Sequence, residues 1–122
     1  RGGNFNYKFM ELLRGAVNTA NFSGKTPLML AVSGAGFFNS NRGNLKIVKR
    51  LLSYGADLFQ NDNDGHTALF HAEAFNERSP NYVNQDIVDY LKSEMLNNFA
   101  IRKFKEDYHY DFVDGYLVIN RR

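Results

Sequence analysis

Apolar residues along most of this chain fall in short helical stripes separated by polar turns. Ile47, Val48, Leu51 and Leu52 sit at i, i+1, i+4 and i+5, which places all four on one helical face. Val88, Leu91, Met95 and Phe99 also lie at helical spacing. That segment reads as one extended helix that breaks near Asn97-Asn98 and is followed by Ile101 to about Asp107. Leu28, Leu30 and Ala31 open another apolar face, and small Ala31 and Ala72 allow helices to approach closely. Near the end the pattern changes. Tyr108–Val113 and Tyr116–Asn120 are β-rich runs separated by Asp114-Gly115, a dipeptide suited to a two-residue hairpin turn. A lone hairpin is marginal in water, so this one is expected to pack on the rest of the chain.

The helical part repeats. Asn21-Phe22-Ser23-Gly24-Lys25-Thr26-Pro27-Leu28-Met29-Leu30-Ala31 is echoed 41 residues later by Asp62-Asn63-Asp64-Gly65-His66-Thr67-Ala68-Leu69-Phe70-His71-Ala72. Ile47-Val48-Lys49-Arg50-Leu51 returns as Ile87-Val88-Asp89-Tyr90-Leu91, and Leu12-Leu13 with Gly15-Ala16-Val17-Asn18 is matched by Leu51-Leu52 with Gly55-Ala56-Asp57-Leu58. In each unit Asn21 or Asp62 can accept backbone amides in a turn, and Gly24 or Gly65 can take positive φ. Thr26 or Thr67 then stands at a helix start, where its hydroxyl can satisfy a free amide. Pro27 fits the first helical turn, where its missing N–H costs nothing. Gly55 is suited to a left-handed helix end.

These motifs resemble the ankyrin repeat: a turn, Gly-x-Thr-Pro-Leu-His, a short helix, and a second helix ending Leu-Leu-x-x-Gly-Ala-Asp. Gly24-Lys25-Thr26-Pro27-Leu28, Gly43-Asn44-Leu45-Lys46-Ile47-Val48 and Leu51-Leu52-Ser53-Tyr54-Gly55-Ala56-Asp57 carry the likeness, which spans about residues 9 to 92. The resemblance implies a mainly α solenoid of stacked helix-turn-helix units with hairpin loops. It divides into a partial repeat over 5–20, repeats over 21–60 and 61–97, and a C-terminal extension over 98–122 with a capping helix and the β-hairpin. Against the family period of about 33 residues, roughly seven or eight extra residues separate the two helices of each repeat. These inserts read as Ser33 to Arg42 and Phe75 to Asn84. The usual turn His is replaced by Met29 and Phe70, and Pro27 has no counterpart at Ala68.

Composition narrows function. The chain has 122 residues, room for one domain, with 43% hydrophobic and 23% charged residues, ordinary values for a folded soluble protein. The net charge is +2, and the densest basic stretch, Arg102, Lys103 and Lys105, is broken by Phe104. A nucleic-acid binder usually shows a basic face, so no nucleic-acid partner is expected. No apolar run approaches the ~20 residues of a membrane helix, and no membrane partner is expected. Without cysteine there is no disulfide and no thiolate chemistry. No signal peptide is visible, although the chain opens on Arg1 rather than Met. The compartment is not fixed by sequence; the cytoplasm is the expectation. Residues with AT-rich codons, including 11 Phe and 7 Tyr, suggest an AT-rich genome. On that basis a bacterial effector delivered into a host cell, or a toxin antagonist, is an alternative role.

Candidate chemistry is sparse. No phosphate loop, dinucleotide motif or nucleophile elbow occurs, so no enzyme, cofactor or small-molecule substrate is expected. His66 and His71 are five apart with Asp62 and Asp64 nearby, but helical ligand pairs sit at i, i+4 and no third ligand is evident. They read as turn and helix-start residues, and no metal is expected. Gln60 to Gly65 resembles a calcium loop only faintly, since the key anions at both ends are missing. The ankyrin resemblance implies a protein partner bound on the concave face made by loop tips and first helices. Carried onto this chain, that face comprises Phe22, Ser23, Lys25, Ser33, Asn61, Asn63, Asp64, His66, Ala74 and Phe75. Phe37 and Phe38 in the first insert are added as an aromatic anchor. The alternative is a structural spacer within a longer multidomain protein.

Overall fold

The computed structural model describes residues 11–33, 45–78, 84–98 and 108–121. Helix α1 covers residues 11–17, followed by α2 (Pro27–Ser33), α3 (Leu45–Ser53), α4 (Ala68–Arg78), α5 (Gln85–Asn97), β1 (Tyr108–Val113) and β2 (Tyr116–Arg121). The chain is mainly helical, as its periodicity predicts. Helix α2 packs beside α4, and α3 beside α5, with α2 also on α3 and α4 on α5. Two repeats thus lie side by side, each a first helix backed by a second.

The core runs through these contacts. Leu28, Met29, Ala31 and Val32 of α2 are buried, as are Leu69 and Ala72 of α4 and Ile87, Val88, Leu91 and Met95 of α5. Ala31 and Ala72 are both 0% exposed, which lets the inner helices close on each other as their small size suggests. In α3 only Val48 is fully buried; Ile47, Leu51 and Leu52 pack against the cluster at its edge. Across the outer layer the Lys49 ammonium lies 5.3 Å from the centre of the Tyr90 ring.

Helix ends follow the local chemistry. Thr26 and Thr67 accept the amides of Met29 and Phe70 at 3.4 and 3.2 Å, which makes them N-caps of α2 and α4. Gly55, at φ +97°, terminates α3: its amide reaches Leu52 O at 3.1 Å and that of Ala56 reaches Leu51 O at 3.0 Å, a Schellman pair. Gly15, its match in the repeat, stays within α1, and Asn18 closes that end instead. Its Nδ2 donates to Arg14 O at 2.9 Å and to Gly55 O at 3.0 Å, while its Oδ1 accepts Asp57 N at 2.7 Å. This one Asn therefore joins the end of α1 to the end of α3.

Helix α4 is longer than the insert reading allows. It runs to Arg78, so Phe75 is helical rather than part of a loop. Ala, Leu, Glu and Arg in this stretch favour the helix, and Pro80 opposes its continuation. The long helix reaching Asn97 is present, with Asn98 at its C-cap. Its expected continuation past Phe99 and from Ile101 to Asp107 lies outside the described residues, as do Phe37, Phe38 and Tyr82.

The hairpin forms around Asp114 and Gly115, at φ +51° and +83°, with Val113 paired to Tyr116 across the turn. Phe112 and Leu117 pack against the helical core, and Lys92 of α5 lies 5.3 Å from the centre of the Phe112 ring.

Asn84 holds the start of α5 to the inner layer. It is 0% exposed and its Nδ2 donates to Val32 O at 2.8 Å, bridging α5 and α2. Asn84→Ala leaves that buried carbonyl without this donor and should cost about 1–3 kcal/mol. Urea denaturation measures it; a change within ~0.3 kcal/mol would contradict the assigned role.

Candidate functional site

The two turns that precede α2 and α4 are built the same way. Asn21 Oδ1 accepts the amides of Ser23 and Lys25, both at 2.9 Å, and Asn21 O accepts that of Gly24 at 2.9 Å. Asp62 Oδ1 accepts the amides of Asp64 at 2.9 Å and His66 at 3.0 Å, and Asp62 O accepts that of Gly65 at 3.0 Å. Gly24 and Gly65, at φ +80° and +81°, supply the left-handed residue that each turn needs. A short polar side chain that bonds its own backbone two residues on is what favours Asn and Asp here.

Each turn is then locked to the next. Asn63 N donates to Ser23 O at 3.0 Å and Asn63 Nδ2 to Phe22 O at 2.8 Å. A Cβ on Gly24 would lie 2.6 Å from Asn63 N, so glycine is required by contact as well as by φ. The hairpin continues the series. Tyr116 donates its hydroxyl proton to Gly65 O and accepts Asn61 Nδ2 at 3.4 Å, while Thr67 Oγ1 donates to the buried Gly115 O at 2.5 Å. A Cβ on Gly115 would stand 2.5 Å from Phe70 Cβ. The hairpin tip thus lies against the second turn much as the second turn lies against the first, in the place a following repeat would set its own turn.

This arrangement distributes the expected partner-binding residues. Phe22 is fully exposed at 105%, and Ser23, Asn61, Asn63 and Asp64 are exposed beside it on the two adjoining turns. Lys25 and His66 are half-buried at the turn bases. Ser33 on α2, with Ala74 and Phe75 on α4, are half-buried along the first helices; the Ser33 hydroxyl donates back to Met29 O at 3.2 Å. Asn63, expected as a contact residue, spends its side chain and amide on the neighbouring turn.

Sequence reasoning reads Asp62 and His71 as turn and helix-start residues without pairing them, and it does not single out Tyr116. His71 Nε2 lies 2.8 Å from Asp62 Oδ2, and the Asp62 side chain is 1% exposed. A carboxylate can only accept, so Nε2 carries the proton. Burial pushes the Asp62 carboxyl up; the amide of His66, the His71 side chain and the amide of Asp64 outweigh it and hold the group below its ordinary 3.8. His66 stacks on Phe70 with ring centres 3.7 Å apart and planes 10° from parallel. The separation of nine residues between Asp62 and His71 gave no helical signal, because one lies in the turn and the other on α4.

Residues 4–102 match the family model for ankyrin repeats, in three copies. The chain belongs to the ankyrin-repeat family. No curated protein and no solved structure matches it. Ankyrin repeats are generally protein-interaction modules and typically carry no catalysis. Among the described residues no helix is long and apolar enough to cross a membrane.

Gly115→Ala should disturb the hairpin's seat, combining left-handed strain of about 1–3 kcal/mol with the Phe70 clash. The expected result is a lower thermal midpoint together with faster proteolysis within β1 and β2. Wild-type stability and protease resistance would contradict the contact.

Proposed function

We propose that the chain binds a partner protein on the side formed by its turn tips and the outward residues of α2 and α4. The observation that carries this reading is Phe22. A wholly exposed aromatic side chain stands on a turn whose backbone is fixed by Asn21 and Asn63. A large apolar side chain presented on a pre-ordered loop loses little further entropy on binding and suits an interface anchor. Around it Ser23, Lys25, Asn61 and Asp64 supply hydrogen-bonding and charged groups of both signs, the polar rim that such an anchor needs. Tyr116, 39% exposed, extends this side onto the hairpin.

The alternative, a spacer stacked between other repeats, needs open surface beside α4 and the second turn. Gly115 and Tyr116 cover that surface, which favours the binding reading.

Affinity capture from the native host, read by mass spectrometry, supplies the partner. Phe22→Ala should then weaken binding by about tenfold or more, equal to ~1.4 kcal/mol. Asp64→Ala and Lys25→Ala should have smaller effects, and Lys46→Ala, on exposed α3, none. Unchanged affinity in all of the Phe22, Lys25, Asn61 and Asp64 variants would reject this side as the interface.

A further inference from the structure

We propose that Asp62, His66 and His71 form a binding site for a borderline transition-metal ion of the zinc class, at the base of the second turn. One potential ligand atom from each residue lies within 4.8 Å of the other two. The donors come from a turn and from the helix it precedes, which is why their spacing along the chain does not look like a metal motif.

The first turn shows that the fold does not need this trio. At equivalent positions, 41 residues earlier, stand Asn21, Lys25 and Leu30. Asn21 alone closes its turn with the same pair of amide bonds that Asp62 makes. Three positions that are amide, ammonium and alkyl in one repeat are thus carboxylate, imidazole and imidazole in the other. Turn geometry accounts for an oxygen acceptor at position 62 and for nothing at positions 66 and 71.

The local structure also orients the donors. Asp62 Oδ1 is held by two amides, which leaves Oδ2 directed at His71. Ligating carboxylates are commonly fixed by such bonds. His66 is steadied by its stack on Phe70. Both imidazoles are partly exposed, so an ion can reach them. With ligands at about 2.0–2.2 Å from zinc, neighbouring donor atoms stand roughly 3.3 Å apart in a tetrahedron. The Asp62–His71 pair, at 2.8 Å, opens slightly, and the His66 donor, within 4.8 Å of both, closes on the ion. The ion takes the place of the proton on His71 Nε2. Two imidazoles and one carboxylate favour zinc over the hard, oxygen-seeking magnesium and calcium. Three protein ligands leave the fourth position to water.

The test is titration of the untagged 122-residue chain with Co²⁺, followed by Zn²⁺ competition, with helicity checked by circular dichroism. One equivalent of Co²⁺ should give visible bands of tetrahedral intensity; Zn²⁺ should abolish them at micromolar concentration, and Mg²⁺ and Ca²⁺ should not. His66→Phe retains a ring for the Phe70 stack, and His71→Gln retains a donor for Asp62. Each should weaken Zn²⁺ binding by about tenfold or more. His109→Ala, which removes the third histidine on exposed β1, should leave it unchanged. The proposal is overturned if no Zn²⁺ binds below about 1 mM, if His109→Ala alone abolishes binding, or if either His66→Phe or His71→Gln binds as the wild type does.

Discussion

In both turns one side-chain oxygen accepts the amides two and four residues further on, from Asn21 in the first and Asp62 in the second. That closure ties each turn to the start of a capped helix. It also leaves the carbonyls of residues 22 and 23 pointing outward, where Asn63 binds them. Repeat-to-repeat registration therefore depends on the turns as well as on the apolar seam between α2 and α4. The apolar contacts are non-directional and supply most of the driving force; the turn bonds are directional and set which carbonyl meets which amide.

The hairpin follows from the same constraint. A stack of repeats exposes a turn and a helix flank at its end, and these need cover. Gly115 and Tyr116 provide it with groups unlike those of a repeat: a backbone carbonyl for Thr67 and a phenol for Gly65. Phe112 and Leu117 add apolar contact with the core. The result is a row of three tips, two from repeats and one from a hairpin. The first carries Phe22 into solvent, and the third adds Tyr116 to the same row.

Much of this architecture was legible in the residues themselves. Helical stripes, threonine caps, Gly55 as a left-handed helix end and the Asp114-Gly115 hairpin each have a local cause, and local causes can be read from neighbouring residues. What escaped notice depends on distance through space. The end of α4 is a local exception: the family period stops the helix before Phe75, whereas helix-favouring Glu77 and Arg78 carry it further. Gly15 matches Gly55 in the repeat, yet Asn18 does that work by reaching a second helix. The Asp62–His71 contact joins a turn to a helix, and neither a period of 3.6 nor one of two describes it. The Tyr116–Gly65 bond spans 51 residues and has no signature in either segment.

Amide hydrogen exchange on the wild-type chain tests the role of the turns most directly. The amides of Lys25, Asn63 and His66 should be protected together with those of α2 and α4 and should open with them as one cooperative unit. Exchange of these three at the rate of an unstructured peptide, while the helices stay protected, would show that the turns do not hold the repeats in register.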